Sequence, residues 1–303
     1  MSIRQVGQKE STLRRSIKDV IAYIDYWFYQ TGIKKMSHPI RVMSVSETIS
    51  ELKNSEKSLV RFGDGEVAMM RGVSLKLQNQ APELIDRMKD IIGYKNEGLM
   101  VSIQDIFDGL ELYAPASRQF WRDHLLFCRK YYEKYCSADR VYCSTSFSRC
   151  YITINDKSQC LEWFEGIRDI WSQKNVVVVE GAATHNGVTN NLLDKAASVE
   201  RIVCPPKNAY SAYDRILEAC KKCDKSKLFL LSLGATAKPL AQDLFNEGYR
   251  VIDIGNLDIE YEWYLMGATE KVEIPKNKIL TVEENEKAGF DKYLLEIKER
   301  IEI

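Results

Sequence analysis

Four stretches of this chain gather the groups that could do chemistry. Arg61-Phe-Gly-Asp-Gly-Glu66 places Asp64 and Glu66 on either side of a glycine, in a turn that Gly63 and Gly65 make permissive. Two carboxylates so close repel each other unless a cation or hydrogen-bond donors compensate. A hard divalent ion, Mn2+ or Mg2+, carried on a diphosphate would compensate them through oxygen ligands. The plainer alternative is a surface turn whose acids cap the next helix. Leu230-Leu-Ser-Leu-Gly-Ala-Thr-Ala237 runs from an apolar strand through Gly234 to Thr236 at a helix start, where free backbone N–H groups can bind an anion. Its spacing is neither that of a P-loop nor that of the dinucleotide fingerprint, and a purely structural turn would use the same residues.

Glu180-Gly-Ala-Ala-Thr-His-Asn-Gly187 follows a run of four valines. Glu180 is expected at the strand tip, with Thr184, His185 and Asn186 lining a cleft; the plainer reading of a lone loop histidine is simple exposure. In Ile252-Asp-Ile-Gly-Asn-Leu-Asp-Ile-Glu-Tyr-Glu-Trp-Tyr264, Asp253 sits in a strand that Gly255 ends, and Asp258, Glu260 and Glu262 crowd the start of a helix. The helix dipole favours acids there. A carboxylate so placed could also serve as the base for an acceptor hydroxyl.

Positioning these groups requires a regular scaffold. Apolar runs at Leu59–Phe62, Met100–Ile103, Val141–Cys143, Val176–Val179, Arg201–Cys204, Leu228–Leu233 and Val251–Ile254 predict strands. Amphipathic segments near 83–92, 115–135, 159–171, 211–222, 236–247 and 259–266 predict helices between them. The alternation predicts an α/β fold: a Rossmann-like open, mainly parallel sheet flanked by helices, with ligands beyond the carboxyl ends of the strands. Ile17, Val20, Ile21, Ile24, Trp27 and Phe28 predict an N-terminal helix over 11–31, and residues 1–45 read as a helical extension docking on a body of 46–303. A linker is expected at 33–43, a capping box at Ser44 and Glu47, and a last helix near 290–300.

Lys+Arg and Asp+Glu both total 43, so bulk electrostatics argue against nucleic acid as a partner. The start of the chain lacks the apolar core of a secretory signal and no run could span a bilayer, so a cytoplasmic protein is expected, with room for an amphipathic helix docking at the inner face of the membrane. Eight cysteines scattered among apolar residues read as reduced structural thiols, with Cys220 and Cys223 as core or surface thiols, since no further zinc ligands accompany that pair.

In RFGDGE (61–66), VVVEG (177–181), RIVCPPKNAY (201–210), SLGATA (232–237) and IDIGNLDIEYEWYLMGA (252–268), the chain resembles the GT-D type bacterial glycosyltransferases, long known as a domain of unknown function. The resemblance spans roughly 55–270 and implies a single Rossmann-like domain. It implies transfer of a hexose from a UDP-sugar to a glycan or glycoprotein acceptor in surface glycan biosynthesis, with Mn2+ or Mg2+ at Asp64 and Glu66. Glu262, or its neighbours Glu260 and Asp258, would be the catalytic base. Arg61, Gly63, Arg149, Glu180, His185, Lys207, Asn208, Gly234, Thr236, Asp253 and Asn256 would form the donor side. A homodimer or association with other glycan-assembly enzymes is compatible with that setting.

The chain also departs from the family. It has Ala182 where members carry Glu, His185 for Arg, Thr189 for Gly, Asn191 for Asp and Asn256 for a frequent His, and the usual element near 271–284 is not recognisable. A neutral histidine cannot replace an arginine clamp on a diphosphate, so altered substrate preference is expected. Two rivals share the same residues: a sugar-nucleotide hydrolase, and a non-catalytic scaffold in a glycan-assembly complex. A dehydrogenase is disfavoured by the missing dinucleotide fingerprint.

Overall fold

The computed structural model describes residues 3–276, 284 and 290–302. Its strands in chain order are β1 (Arg41–Val42), β2 (Ser58–Arg61), β3 (Leu99–Ile103), β4 (Val141–Ser144), β5 (Asn175–Gly181), β6 (Ser198–Cys204), β7 (Leu228–Ser232), β8 (Arg250–Asp253) and β9 (Ile297–Arg300). The helices are α1 (Ile3–Gln30), α2 (Val45–Asn54), α3 (Asp64–Met70), α4 (Pro82–Ile92), α5 (Pro115–Tyr135), α6 (Cys160–Ile170), α7 (Tyr213–Lys221), α8 (Ala237–Asn246), α9 (Leu257–Leu265) and α10 (Asp291–Glu296). The strands form one parallel sheet in the order β1-β4-β3-β2-β8-β7-β5-β6-β9.

Alternate side chains of each strand enter opposite cores, as the two-residue period of a strand dictates. Val60, Val101, Val177, Val179, Phe229, Leu231 and Val251 meet α3, α4, α5, α7 and α8 on one face. Leu59, Met100, Val176, Val178, Leu228, Leu230 and Ile252 meet α2, α6 and α9 on the other. Burial on both faces explains why the central strands read as continuous apolar runs. From β2 the chain moves outward to β3 and β4, whereas β8 arrives beside β2 from β7. Adjacent strands whose connections diverge leave a crevice at their carboxyl ends, the usual ligand position of an open α/β sheet.

Three expectations need correction. The linker at 33–43 contains β1, paired with β4, so the N-terminal extension is sewn into the sheet rather than docked on it as a separate piece. The last helix stops at Glu296, and the alternating Ile297-Lys-Glu-Arg300 becomes an edge strand on β6. Ile17, Val20, Ile21, Ile24 and Trp27 of α1 are exposed, and α1 packs on α5 through its other side. The capping box is as expected, with Ser44 Oγ accepting from Glu47 N and the Glu47 carboxylate accepting from Ser44 N. All eight cysteines are free thiols, seven of them buried. No helix among the described residues is long and apolar enough to cross a membrane. Residues 277–283, part of the 271–284 segment, lie outside the described residues.

Candidate functional site

The β2–β8 crevice holds a compact charge cluster. Lys238, one residue into α8, is buried and lies 3.2 Å from Glu66 Oε1 and 3.0 Å from Asp253 Oδ2, while donating to Gly234 O at 3.0 Å. Glu66 Oε2 accepts from Gly63 N at 2.9 Å, closing the first turn of α3, and Asp253 Oδ1 accepts from Gly255 N at 3.1 Å. Burial pushes the Glu66 carboxyl up, but the charges of Lys238 and Arg61 outweigh it and leave its pKa below the ordinary value. Arg61 crosses the floor between two glycines that make room for it. A Cβ at Gly63 would lie 3.3 Å from Arg61 Nη1, and one at Gly255, where φ is 51°, would lie 3.0 Å away. A side chain at Gly255 would crowd the guanidinium and strain the backbone, whereas one at Gly63 would press it less closely; the guanidinium makes no hydrogen bond among the described residues.

Asp64 stands apart from this cluster. Residues two apart on a helix do not share a face, so while Glu66 turns inward to Lys238, Asp64 is exposed at the crevice mouth with no hydrogen bond or ion pair among the described residues. Among the described residues no three His, Cys, Asp or Glu side chains converge as metal ligands. Asp64 fits a hard divalent ion that brings phosphate oxygens with it. Glu66 does not fit as a second ligand in this arrangement, because both its oxygens are engaged.

Gly234 is exposed at the neighbouring turn, with φ 54° and open space where a Cβ would stand. Thr236 is buried and faces Gln78, its Oγ1 3.4 Å from Gln78 Oε1. Asn208, at φ 51°, accepts from Asn79 N at 2.8 Å and ties the 205–211 loop to the segment before α4. Lys207 and Asn256 are exposed on the rim.

The three acids of α9 separate into two roles. Glu260 is fully buried: Oε2 accepts from Tyr151 N at 3.2 Å and Ile152 N at 2.9 Å, and Oε1 lies 3.0 Å from Arg149 Nε. It anchors the loop after β4 and is inaccessible to an acceptor, which corrects its candidacy as the base; Arg149 is tied down with it. Asp258 is equally buried and accepts from Gly187 N, Asn190 Nδ2 and Lys276 Nζ. Burial raises its pKa, against the opposing charge of Lys276. Glu262 Oε1 accepts from Asn190 Nδ2 at 2.7 Å and Lys276 Nζ at 2.6 Å, while its Oε2 has no protein partner among the described residues. Of the three, Glu262 alone keeps a carboxylate oxygen available.

The loop after β5 points inward rather than into the crevice. Glu180 is buried, accepting from Asn186 N and Nδ2 at 2.7 Å each and from Arg201 Nη1 at 2.6 Å. Arg201 also donates to Glu296 at 2.8 Å and lies over the Tyr293 ring, so α10 is clamped onto this loop. His185, at φ 51°, is buried against Tyr293 and Phe290 with ring centroids 4.8 and 5.7 Å away, and desolvation lowers its pKa. It serves the core here and does not line the crevice, contrary to the sequence expectation.

The sequence reading missed Lys238, Lys276 and Arg201. The available signal for Lys238 was a lysine at the start of an otherwise apolar helix, Ala-Lys-Pro-Leu-Ala, on the face that packs against the sheet. It missed Asp105 as well, which follows β3 and accepts from Ser144 Oγ at 2.9 Å, Ser146 Oγ at 3.2 Å and the Tyr113 hydroxyl. Asp105 borders a cavity of about 380 Å3 on the same rim, which Ser44, Ser46, Glu111, Gln159 and Trp163 also line.

Comparison with known proteins matches residues 59–282 to the family model described as glycosyltransferase GT-D fold. The chain is 39% identical over 236 residues to a probable glycosyl transferase, Gly, of Streptococcus gordonii, covering 78% of this chain and 34% of that one. It is 40% identical over 234 residues to the glycosyltransferase GlyD of Streptococcus pneumoniae serotype 4, covering 77% and 29%. The chain thus spans about a third of the length of these relatives. Among solved structures, a domain described as having a distinct glycosyltransferase fold superposes with TM-score 0.80 at 40% identity, over 87% of this chain and 96% of that one. A glycosyltransferase from Streptococcus sanguinis gives TM-score 0.80 at 37% identity, over 87% and 100%.

Proposed function

The chain belongs to the GT-D family of glycosyltransferases, and from that premise we propose that it transfers a hexose from a UDP-sugar to a glycan or glycoprotein acceptor, with a divalent ion assisting. The observation that carries the donor assignment is Arg61: a cation at the carboxyl end of a central strand, near the exposed Gly234 turn, whose guanidinium feels the charge of Glu66 but makes no hydrogen bond among the described residues. An arginine so presented matches the paired oxygens of a diphosphate. Asp64 would hold Mn2+ or Mg2+ together with the donor phosphates, and the ion would supply neutralisation of charge on the departing diphosphate. Glu66 is reassigned from ligand to support, since it fixes the turn that presents Asp64.

Glu262 is the proposed base. Its free oxygen takes the proton of an acceptor hydroxyl as that oxygen bonds to the anomeric carbon. The bond from that carbon to the β-phosphate oxygen breaks, and its electron pair leaves with UDP. Lys276 and Asn190 hold the other carboxylate oxygen and fix the orientation of the group. The cavity beside Asp105 offers hydroxyl and carboxylate partners to an acceptor sugar. A single displacement with inversion follows most simply from one base and one leaving group. Bacterial surface glycan assembly, at the cytoplasmic side of the membrane, is the setting proposed for this activity.

The test is UDP release from a panel of UDP-sugars with and without Mn2+, in the presence and absence of glycan acceptors. Acceptor-stimulated, metal-dependent release is the expected result. Release indifferent to every acceptor would instead favour a hydrolase, and no release from any donor would favour a scaffold.

A further inference from the structure

α1 docks on α5 through its polar side. Lys18 reaches Asp123 at 2.7 Å, Gln119 donates to Asp19 O at 3.3 Å, and Arg129 lies 3.8 Å from the centroid of the Tyr29 ring. Ala22 is the fully covered residue at the centre of that contact. The opposite side carries Ile17, Val20, Ile21, Ile24 and Trp27, each 44 to 57% exposed. A helix that turns Lys18, Asp19 and Asp25 toward the body and leaves its branched aliphatic residues in water is amphipathic in the wrong sense for a monomer.

The spacing identifies what covers this face. Ile17, Val20, Ile24 and Trp27 alternate by three and four, and the sequence continues the same alternation backward through Leu13, Glu10, Val6 and Ile3. That is the two-in-seven seam of a coiled coil, with β-branched isoleucines at three of the four a positions. A strict seven-residue repeat drifts about 20° per heptad around a straight helix, so it stays on one side only when two helices supercoil. Ile21, also exposed, falls at an e position beside the seam and widens the stripe on one flank. Lys18, Asp19, Ala22, Asp25, Tyr26 and Tyr29 fall at the b, c and f positions, so the side that meets α5 lies opposite the seam. At roughly 100 Å2 of apolar surface each, the five exposed side chains would bury about 1,000 Å2 across two copies, the threshold of a specific interface. α1 also lies outside the 59–282 region matched by the family model.

We propose that α1 pairs with α1 of a second copy of this chain through the Ile17–Val20–Ile24–Trp27 seam, making the protein a homodimer whose bodies lie on either side of a short coiled coil. The test is the solution mass of the full chain at tens of micromolar, by sedimentation equilibrium. The expected mass is twice 34.9 kDa. A Val20→Asp/Ile24→Asp variant should run at the single-chain mass, its dissociation constant raised about a hundredfold or more. Its circular dichroism and UDP-sugar turnover should stay unchanged, because both side chains lie on the side of α1 opposite the α5 contact. A wild-type monomer, or a variant that remains dimeric, would overturn the proposal. A parallel arm uses phosphatidylglycerol–phosphatidylcholine vesicles: a single-chain protein that co-sediments with vesicles through these residues would assign the face to lipid instead.

Discussion

Removing one partner from the Lys238–Glu66–Asp253 cluster leaves a buried charge uncompensated, a change that costs about 3–5 kcal/mol. Asp64 has no such partner. Glu66→Gln should therefore lower the melting temperature markedly, whereas Asp64→Asn should leave it in place and cut metal-dependent turnover about a hundredfold or more. Thermal melts and steady-state UDP release on the same preparations separate the two. The acids of α9 divide the same way. Glu262→Gln should reduce kcat by about 10^2 to 10^4 with the fold intact, while Glu260→Gln should destabilise the protein, because Arg149 loses its counter-charge. At this scale the sequence was half legible. It located the acids, since type and spacing near strand ends are written in the chain. Which acid faces a buried lysine depends on Lys238 and Lys276, brought in from other elements, and no local pattern announces those pairings.

Among the elements, α5 carries a pH-sensitive group that the charges of Asp64 and Arg71 also reach. His124 is buried with its Nε2 3.0 Å from the Tyr132 hydroxyl, and burial pulls its pKa down from 6.5 to about 4. The unfolded chain takes up this proton below about pH 6.5 and the folded chain resists until about pH 4. The associated stability is thus present above pH 6.5 and is lost as pH falls toward 4, by up to about 3 kcal/mol. Denaturant melts from pH 7 to 4.5 should show a shallower decline for His124→Gln than for the wild type. At the start of α2, Ser44→Ala should cost about 1 kcal/mol by removing the cap that Ser44 and Glu47 share. Element type was readable almost throughout: runs buried on both faces announced the central strands, and helical spacing announced α4 to α9. The failures came where length or partner decides. β1 has two residues, and β9 became a strand because β6 offered an open edge to Ile297-Lys-Glu-Arg300.

For the molecule as a whole, the strand order brings the informative segments together. β2, β8, β7 and β5 are consecutive neighbours, so the turns carrying Asp64, Asp253, Gly234 and Glu180 share one rim although nearly 200 residues separate the first from the second. The family resemblance anticipated this parallel architecture. It could not anticipate that the 182–191 departures mark an inward-facing loop, where His185 packs on Tyr293 and Arg201 supplies the buried charge. A change of substrate preference would therefore be sought at the crevice mouth and the Asp105 cavity rather than at His185. Central to this reading is the assignment of the β2–β8 crevice as the donor seat, and calorimetric titration of a UDP-sugar into wild-type and Arg61→Gln protein tests it most directly. Loss of charge-assisted hydrogen bonds to the diphosphate should weaken binding about 10- to 100-fold with the variant still folded. Equal affinity in a folded Arg61→Gln protein would contradict the assignment.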